Sequence, residues 1–262
     1  MYTKKVLFMN IAGERLSASL EMPTNERPVA YALFAHCFTC SKEYKAVTYI
    51  SRTLAQEHIA VLRFDFTGLG ESDGDFSETN FSSNVADIFA AAAYLQQHYE
   101  APQLLIGHSL GGTAMLQAAA RIPSSVAVVT IASPFEPRIV LRHLDRVRAQ
   151  IEIEGQAQVT LAGRDFLLKK QFVEDLEQAD MSTTIRELKR ALLIFHSPAD
   201  TVLELEQASK IFQTARHPKS FISLDQADHL LSNREDALYV GIVIAAWVRK
   251  YLVPTSVMQK NK

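Results

Sequence analysis

The stretch Gly107-His108-Ser109-Leu110-Gly111-Gly112 constrains this chain more than any other. An apolar run, Gln103-Leu104-Leu105-Ile106, leads into it, and a small-residue run, Thr113-Ala114-Met115-Leu116-Gln117-Ala118-Ala119-Ala120, leads out. The pattern predicts a strand, a sharp turn and a helix, with a serine at the apex and a glycine two residues to either side. Side chains at those flanking positions would collide with strand and helix, and so tight a turn forces the serine backbone into a strained conformation. The strand-before, helix-after context separates this pattern from a chance glycine-bracketed serine. The serine oxygen then stands at the C-terminal edge of a sheet, where the first turn of the helix aims backbone N–H groups.

A serine hydroxyl is a poor nucleophile without a base, and the base needs an acid to orient it. When the serine sits on such an elbow, the acid and then the histidine follow it in the chain. The apolar run Ala191-Leu192-Leu193-Ile194-Phe195-His196 ends in Ser197-Pro198-Ala199-Asp200, which places Asp200 at the end of a buried strand. A further strand, Ser220-Phe221-Ile222-Ser223-Leu224, runs into a loop that carries His229. Ser109, Asp200 and His229 are therefore the candidate nucleophile, acid and base. Among the rivals, His108 adjoins the serine and is expected to point away from the base position. His196 ends a strand and is expected to make structural hydrogen bonds. Asp228 adjoins His229 and, in an extended loop, points apart from it. Glu136, after the strand at 126–132, is the main rival acid.

The strand Tyr31-Ala32-Leu33-Phe34-Ala35 ends in His36-Cys37-Phe38-Thr39-Cys40. A loop in this position supplies the second oxyanion N–H, so the backbone N–H groups of Phe38 and Leu110 are the candidate donors. Arg63-Phe64-Asp65-Phe66-Thr67-Gly68-Leu69-Gly70-Glu71-Ser72 lacks the third glycine of a dinucleotide loop and the Lys-Ser/Thr of a P-loop, so it predicts no nucleotide site.

The segments Phe34-Ala35-His36-Cys37-Phe38-Thr39-Cys40-Ser41-Lys42, Val61-Leu62-Arg63-Phe64-Asp65-Phe66-Thr67-Gly68-Leu69-Gly70 and Asn80-Phe81-Ser82-Ser83-Asn84-Val85-Ala86-Asp87 carry a resemblance. Together they are similar to the α/β-hydrolase half of bifunctional α/β-hydrolase/OsmC-like proteins, over about residues 5 to 250. The resemblance implies an α/β-hydrolase fold and a bacterial, cytoplasmic, esterase-like serine hydrolase. Longer members continue into an OsmC-like domain. This sequence ends at Lys262, so the peroxide chemistry of that domain is not expected here.

The 262 residues suit one α/β domain with a modest insertion. With 27 Lys and Arg against 29 Asp and Glu, interspersed, the chain has no electrostatic footprint for nucleic acid or an anionic membrane. The apolar run near the N-terminus is too short for a signal sequence, and no stretch approaches transmembrane length, so a cytoplasmic protein is expected. Cys37 and Cys40 form a C-x-x-C between a strand and a helix. In a reducing compartment they are expected to be two reduced thiols, with a thiol redox pair as the alternative. No paired Cys or His motif completes a zinc site, and neither metal nor cofactor is expected. Nothing in the pattern sets an oligomeric state.

Strands are expected near 5–10 and 15–21, as a hairpin, and at 29–35, 60–65, 103–106, 126–132, 191–196 and 219–224. Helices are expected at 45–57, 83–98, 110–121, 203–215 and 234–250, the last opened by a capping box from Ser232 to Glu235. The alternation predicts an eight-stranded, mostly parallel sheet with helices on both faces. Residues 1–133 and 191–262 form the expected core, and 134–190 the expected cap insertion over the serine. Within the cap, Ile151, Ile153, Val159 and Leu161 alternate around Glu154-Gly155-Gln156 and predict a hairpin. A second turn at Ala162-Gly163 and a short helix around Phe172, Val173 and Leu176 follow. The polar tail from Val253 is expected to be mobile. The chemistry expected is hydrolysis of a small to medium, neutral carboxylic ester through an acyl-enzyme on Ser109. Thioester, amide or C–C bond hydrolysis on the same triad, or a binding protein that no longer turns over, are the alternatives.

Overall fold

A computed structural model describes residues 1–24, 26–161 and 163–252, and the expected tail from Val253 lies outside them. The chain opens with an antiparallel pair, β1 (Tyr2–Met9) and β2 (Arg15–Met22). It then alternates through β3 (Ala30–Ala35), α1 (Lys45–Gln56), β4 (Ile59–Phe64), α2 (Phe81–His98), β5 (Leu104–His108), α3 (Leu110–Ala119) and β6 (Ala127–Ile131). Next come α4 (Asp145–Glu154), β7 (Gln156–Leu161), β8 (Arg164–Lys169), α5 (Lys170–Gln178) and α6 (Met181–Arg186). The chain then re-enters the sheet with β9 (Ala191–His196), α7 (Glu206–Thr214), β10 (Lys219–Ser223) and α8 (Arg234–Val248).

The eight strands lie in the order β1-β2-β4-β3-β5-β6-β9-β10, antiparallel at β1–β2 and β2–β4 and parallel elsewhere. The central strands are buried on both faces, so they are almost wholly apolar, and their residues divide between two cores with a period of two. Ala32 and Phe34 of β3 join Val47, Ile50 and Leu54 of α1 and Val240 and Ile244 of α8. Leu33 and Ala35 join Ile88 and Leu95 of α2 and Met115 of α3 on the opposite face. Each such Leu or Ile contributes about 1.5–3 kcal/mol by leaving water. Because β5, β6, β9 and β10 are parallel neighbours, the loops that follow them emerge along one edge of the sheet. Among the described residues no helix is long and apolar enough to cross a membrane.

Two local expectations are corrected. The hairpin expected around Glu154-Gly155-Gln156 is displaced along the chain. Ile151 and Ile153 belong to α4, with Ile151 buried and Ile153 85% exposed, as a helical face requires. Gly155, at φ 79°, caps that helix, its N–H donating to the Ile151 carbonyl at 2.9 Å. The two-stranded sheet is β7–β8, in which Leu161 pairs with Arg164, and Ala162 of the second expected turn lies outside the described residues. A glycine two residues after an isoleucine fits either a turn or a helix cap, and helix contacts decided for the cap. The second correction concerns α8, whose cap is Asn233 rather than Ser232. Asn233 Oδ1 accepts from the Glu235 N–H at 3.0 Å, while the Ser232 N–H donates to Asp228 Oδ1 at 2.7 Å.

Candidate active site

Ser109 follows β5 at φ 52° and ψ −128°, a left-handed conformation that costs a residue with a side chain about 1–3 kcal/mol. Its N–H donates to the Ile131 carbonyl at 2.8 Å, and α3 begins at the next residue. The flanking glycines are required by close approach. A Cβ on Gly107 would lie 2.4 Å from the Gly111 carbonyl oxygen, and one on Gly111 would lie 2.3 Å from that of His36. The turn therefore packs directly against the loop after β3.

Asp200 lies in the loop after β9 and His229 in the loop after β10. His229 Nε2 is 3.1 Å from Ser109 Oγ, and its Nδ1 is 2.8 Å from Asp200 Oδ2. Asp200 Oδ1 accepts from the N–H groups of Val202 and Leu203 at 2.8 and 2.9 Å. Burial disfavours the Asp200 carboxylate, but hydrogen bonds from His229, Leu203 and Val202 outweigh it and hold the carboxyl below its ordinary range. An ionised Asp200 at Nδ1 leaves Nε2 as the acceptor facing the serine hydroxyl. Glu136 pairs instead with Arg138 at 2.5 Å.

His196 donates from Nε2 to the Leu203 carbonyl at 2.9 Å, a structural bond as expected. His108 is a correction. Its imidazole does not point away from the base but reaches behind it, with Nε2 2.7 Å from the His229 carbonyl oxygen and the two rings 5.2 Å apart. A carbonyl only accepts, so Nε2 carries the proton. Burial, reinforced by electrostatic repulsion from the neighbouring His229 imidazole, pushes the His108 imidazole down to about 3, so it is neutral at ordinary pH.

The loop after β3 is held at both ends. His36 is buried and neutral, its pKa lowered chiefly by that burial. Its Nδ1 donates to the Cys37 carbonyl at 2.7 Å. In a trans peptide the N–H points opposite the C=O, so this bond turns the Phe38 N–H to the other side of the peptide. Cys37 and Cys40 are joined as a disulfide, which corrects the expectation of two reduced thiols. One tight turn, with the Cys40 N–H donating to the Cys37 carbonyl at 3.2 Å, brings their Cα atoms to 5.3 Å, within disulfide reach.

Beyond the disulfide lies a buried ionic network that sequence reasoning missed. Lys42 Nζ contacts Asp65 Oδ2 at 2.6 Å and Glu71 Oε2 at 2.8 Å, and the Lys42 N–H donates to Asp65 Oδ1 at 2.6 Å. Burial opposes the Lys42 charge, yet the Asp65 and Glu71 bonds raise its pKa. Arg63 donates to the Lys42 carbonyl at 2.6 Å and to Glu21 at 2.8 Å. The available signal was an arginine in the otherwise apolar run of β4.

An apolar cavity of about 300 Å³ opens onto Ser109 and His229. Phe38, Val140, Leu144, Val202, Leu203 and Leu230 line it, with Cys37 and Thr39. A larger open cleft of about 530 Å³, bounded by Phe135, Arg138, Arg142 and Lys210, reaches none of the three site residues.

The model of the Alpha/beta hydrolase family matches residues 32–254. The chain is 51% identical to a solved structure of the esterase domain of a Rhodothermus marinus protein, covering 97% of this chain and 100% of that one with a TM-score of 0.79. Est1E from Butyrivibrio proteoclasticus with ferulic acid bound superposes with a TM-score of 0.82 over 94% of this chain and 99% of that one, at 20% identity, a likeness of fold. Mouse palmitoyl-protein thioesterase ABHD10, mitochondrial, is 27% identical over 184 residues, which are 68% of this chain and 61% of that protein.

Proposed function

The chain belongs to the alpha/beta hydrolase family, and from that premise we propose that it is a serine hydrolase of carboxylic esters that works through an acyl-enzyme on Ser109. The observation that carries the proposal is the continuous line Ser109 Oγ, His229, Asp200, with contacts of 3.1 and 2.8 Å, open to an apolar cavity. His229 takes the Ser109 proton as the hydroxyl attacks the ester carbonyl. The N–H groups of Phe38 and Leu110 receive the oxyanion, where most of the rate gain arises. His229 then protonates the leaving alcohol, and water releases the acid by the same path in reverse. The Cys37 carbonyl, held by His36, supports this role for the Phe38 N–H.

Residues 134–190 serve in this proposal as a cap. Val140 and Leu144, from the 3-10 turn Pro137–Leu144, form one wall of the cavity. An apolar wall suits an uncharged acyl or alcohol group. Thioester hydrolysis is the second reading, favoured by the similarity to ABHD10, of whose length the chain spans about 61%. The likeness to the hydrolase half of OsmC-like bifunctional proteins belongs to the same proposal.

A chain-length panel of p-nitrophenyl esters beside matching acyl thioesters tests both readings, with fluorophosphonate labelling of wild type and Ser109→Ala. Ester turnover and labelling that vanish in Ser109→Ala support the proposal. Thioester turnover far above ester turnover moves the substrate class to the second reading. Activity that survives Ser109→Ala and needs a thiol reductant would transfer the chemistry to Cys37 and Cys40.

A further inference from the structure

We infer that His108 is a positioning residue for the base: it holds the backbone of His229 and so keeps the His229 imidazole aligned on the Ser109 hydroxyl. This rests on the roles proposed above for Ser109 and His229. Asp200 fixes one end of the His229 ring through Nδ1, but the ring can still swing about that contact unless its Cα is also fixed. The loop's own hydrogen bonds fasten the neighbours of His229. Ala227 N–H donates to Leu224, Leu231 N–H to the Asp228 carbonyl and Ser232 N–H to the Asp228 side chain. None of these bonds joins the base to the nucleophile turn. The 2.7 Å bond from His108 Nε2 to the His229 carbonyl does, across 121 residues of sequence.

His108 is well placed to set that distance because its backbone is the end of β5 and precedes Ser109 directly. Its partner in β6 is Ile131, whose carbonyl also accepts the Ser109 N–H. Nucleophile and base are thus referred to one rigid strand end. The titratable groups that bear on His108 are His229, Asp200 and His36, and His36 is neutral. A neutral His108 serves the chemistry as well as the geometry. With the rings 5.2 Å apart, a second positive charge would oppose the imidazolium that forms on His229 as it takes the serine proton.

The test compares two near-isosteric side chains. His108→Gln keeps an N–H at similar reach, and His108→Met keeps the bulk without the donor. His108→Leu is a second donor-free variant should Met not fold. In steady-state hydrolysis of a p-nitrophenyl ester, the donor-free variant should lose about 10- to 100-fold in kcat with KM within about threefold, the scale of a misplaced catalytic group. His108→Gln should recover most of kcat. Proton NMR gives a readout independent of turnover: the downfield Nδ1–H resonance of the His229–Asp200 pair should broaden in the donor-free variant and sharpen again in Gln. A folded donor-free variant with wild-type kcat and resonance overturns the inference, as does a Gln variant no better than Met. Ser109→Ala in the same assay separates the two levels. If it stays active, the reading of the whole site falls and this inference with it. If it is dead while the donor-free variant is fully active, only the role of His108 falls.

Discussion

At the scale of single residues, the site's charge balance rests on Asp200, which three hydrogen bonds keep ionised inside the protein. Asp200→Asn offers Nδ1 of His229 the wrong partner and should lower kcat by about 10⁴-fold. Glu136→Gln, at a surface pair with Arg138, should change kcat by less than about threefold, since such pairs are worth about 1 kcal/mol or less. A larger loss in Glu136→Gln than in Asp200→Asn would move the acid into the cap. His108 links the site to acid stability. Its imidazole titrates near 6.5 in the unfolded chain and about 3 in the fold, so between those values the unfolded chain binds the extra proton. Its contribution is complete above about 6.5 and shrinks as pH falls toward 3, by up to about 1.4 kcal/mol per pH unit. Urea melts at about pH 7 and about pH 5 should therefore show a smaller drop for His108→Gln than for wild type. Equal drops would mean that His108 exchanges no proton on unfolding. The candidate triad was legible because each member follows a predicted strand within a few residues. The direction of the His108 ring was not, since adjacency in sequence does not fix which neighbouring loop a side chain meets.

At the scale of elements, the loop between β3 and α1 is the piece on which the proposed oxyanion site depends. His36 holds one end, and Lys42, clamped by Asp65 and Glu71, holds the other. Lys42 and Asp65 are almost fully buried, so replacing Asp65 leaves the Lys42 charge with only Glu71, which is itself exposed. Asp65→Asn should cost about 3–5 kcal/mol in urea unfolding, with the slope unchanged. A loss below about 1 kcal/mol would show that the pair behaves as a surface one. The boundaries of the core strands and helices were readable in the sequence to within a few residues, because period and capping are local. The region from Ile151 to Leu161 was not. Its apolar residues fit both periods over so short a span, and α4 is decided by what Ile151 packs against. The Cys37–Cys40 bond likewise depends on a turn that C-x-x-C spacing permits but does not impose.

At the scale of the whole molecule, the insertion grips the loop after β3 that carries the proposed oxyanion donor. Phe172 of α5 lies 5.0 Å from the Phe38 ring, and Phe166 of β8 lies 4.8 Å from Phe76, which itself packs tilted against Phe38 at 5.4 Å. Arg164 donates to the Thr39 carbonyl at 3.3 Å. A cap that only walls the cavity would change chain-length selectivity and leave the smallest esters alone. With these contacts, Phe172→Ala should slow even p-nitrophenyl acetate by about tenfold or more, besides costing about 3–5 kcal/mol of stability. Unchanged acetate turnover in a folded variant would confine the cap to selectivity. The sequence by itself determined the alternation of strands and helices, the glycine-bracketed serine and the strand-end positions of Asp200 and His229. Those features follow from backbone sterics and hydrophobic period, which act over a few residues. Tertiary structure alone decided that His229 meets Ser109 across 120 residues, that His108 backs it, that Lys42 is buried on Asp65 and that Phe172 reaches Phe38. These are contacts between segments remote in the chain. They are set by how the sheet orders its strands and by where a buried polar group or ring finds a partner, and no local pattern encodes either.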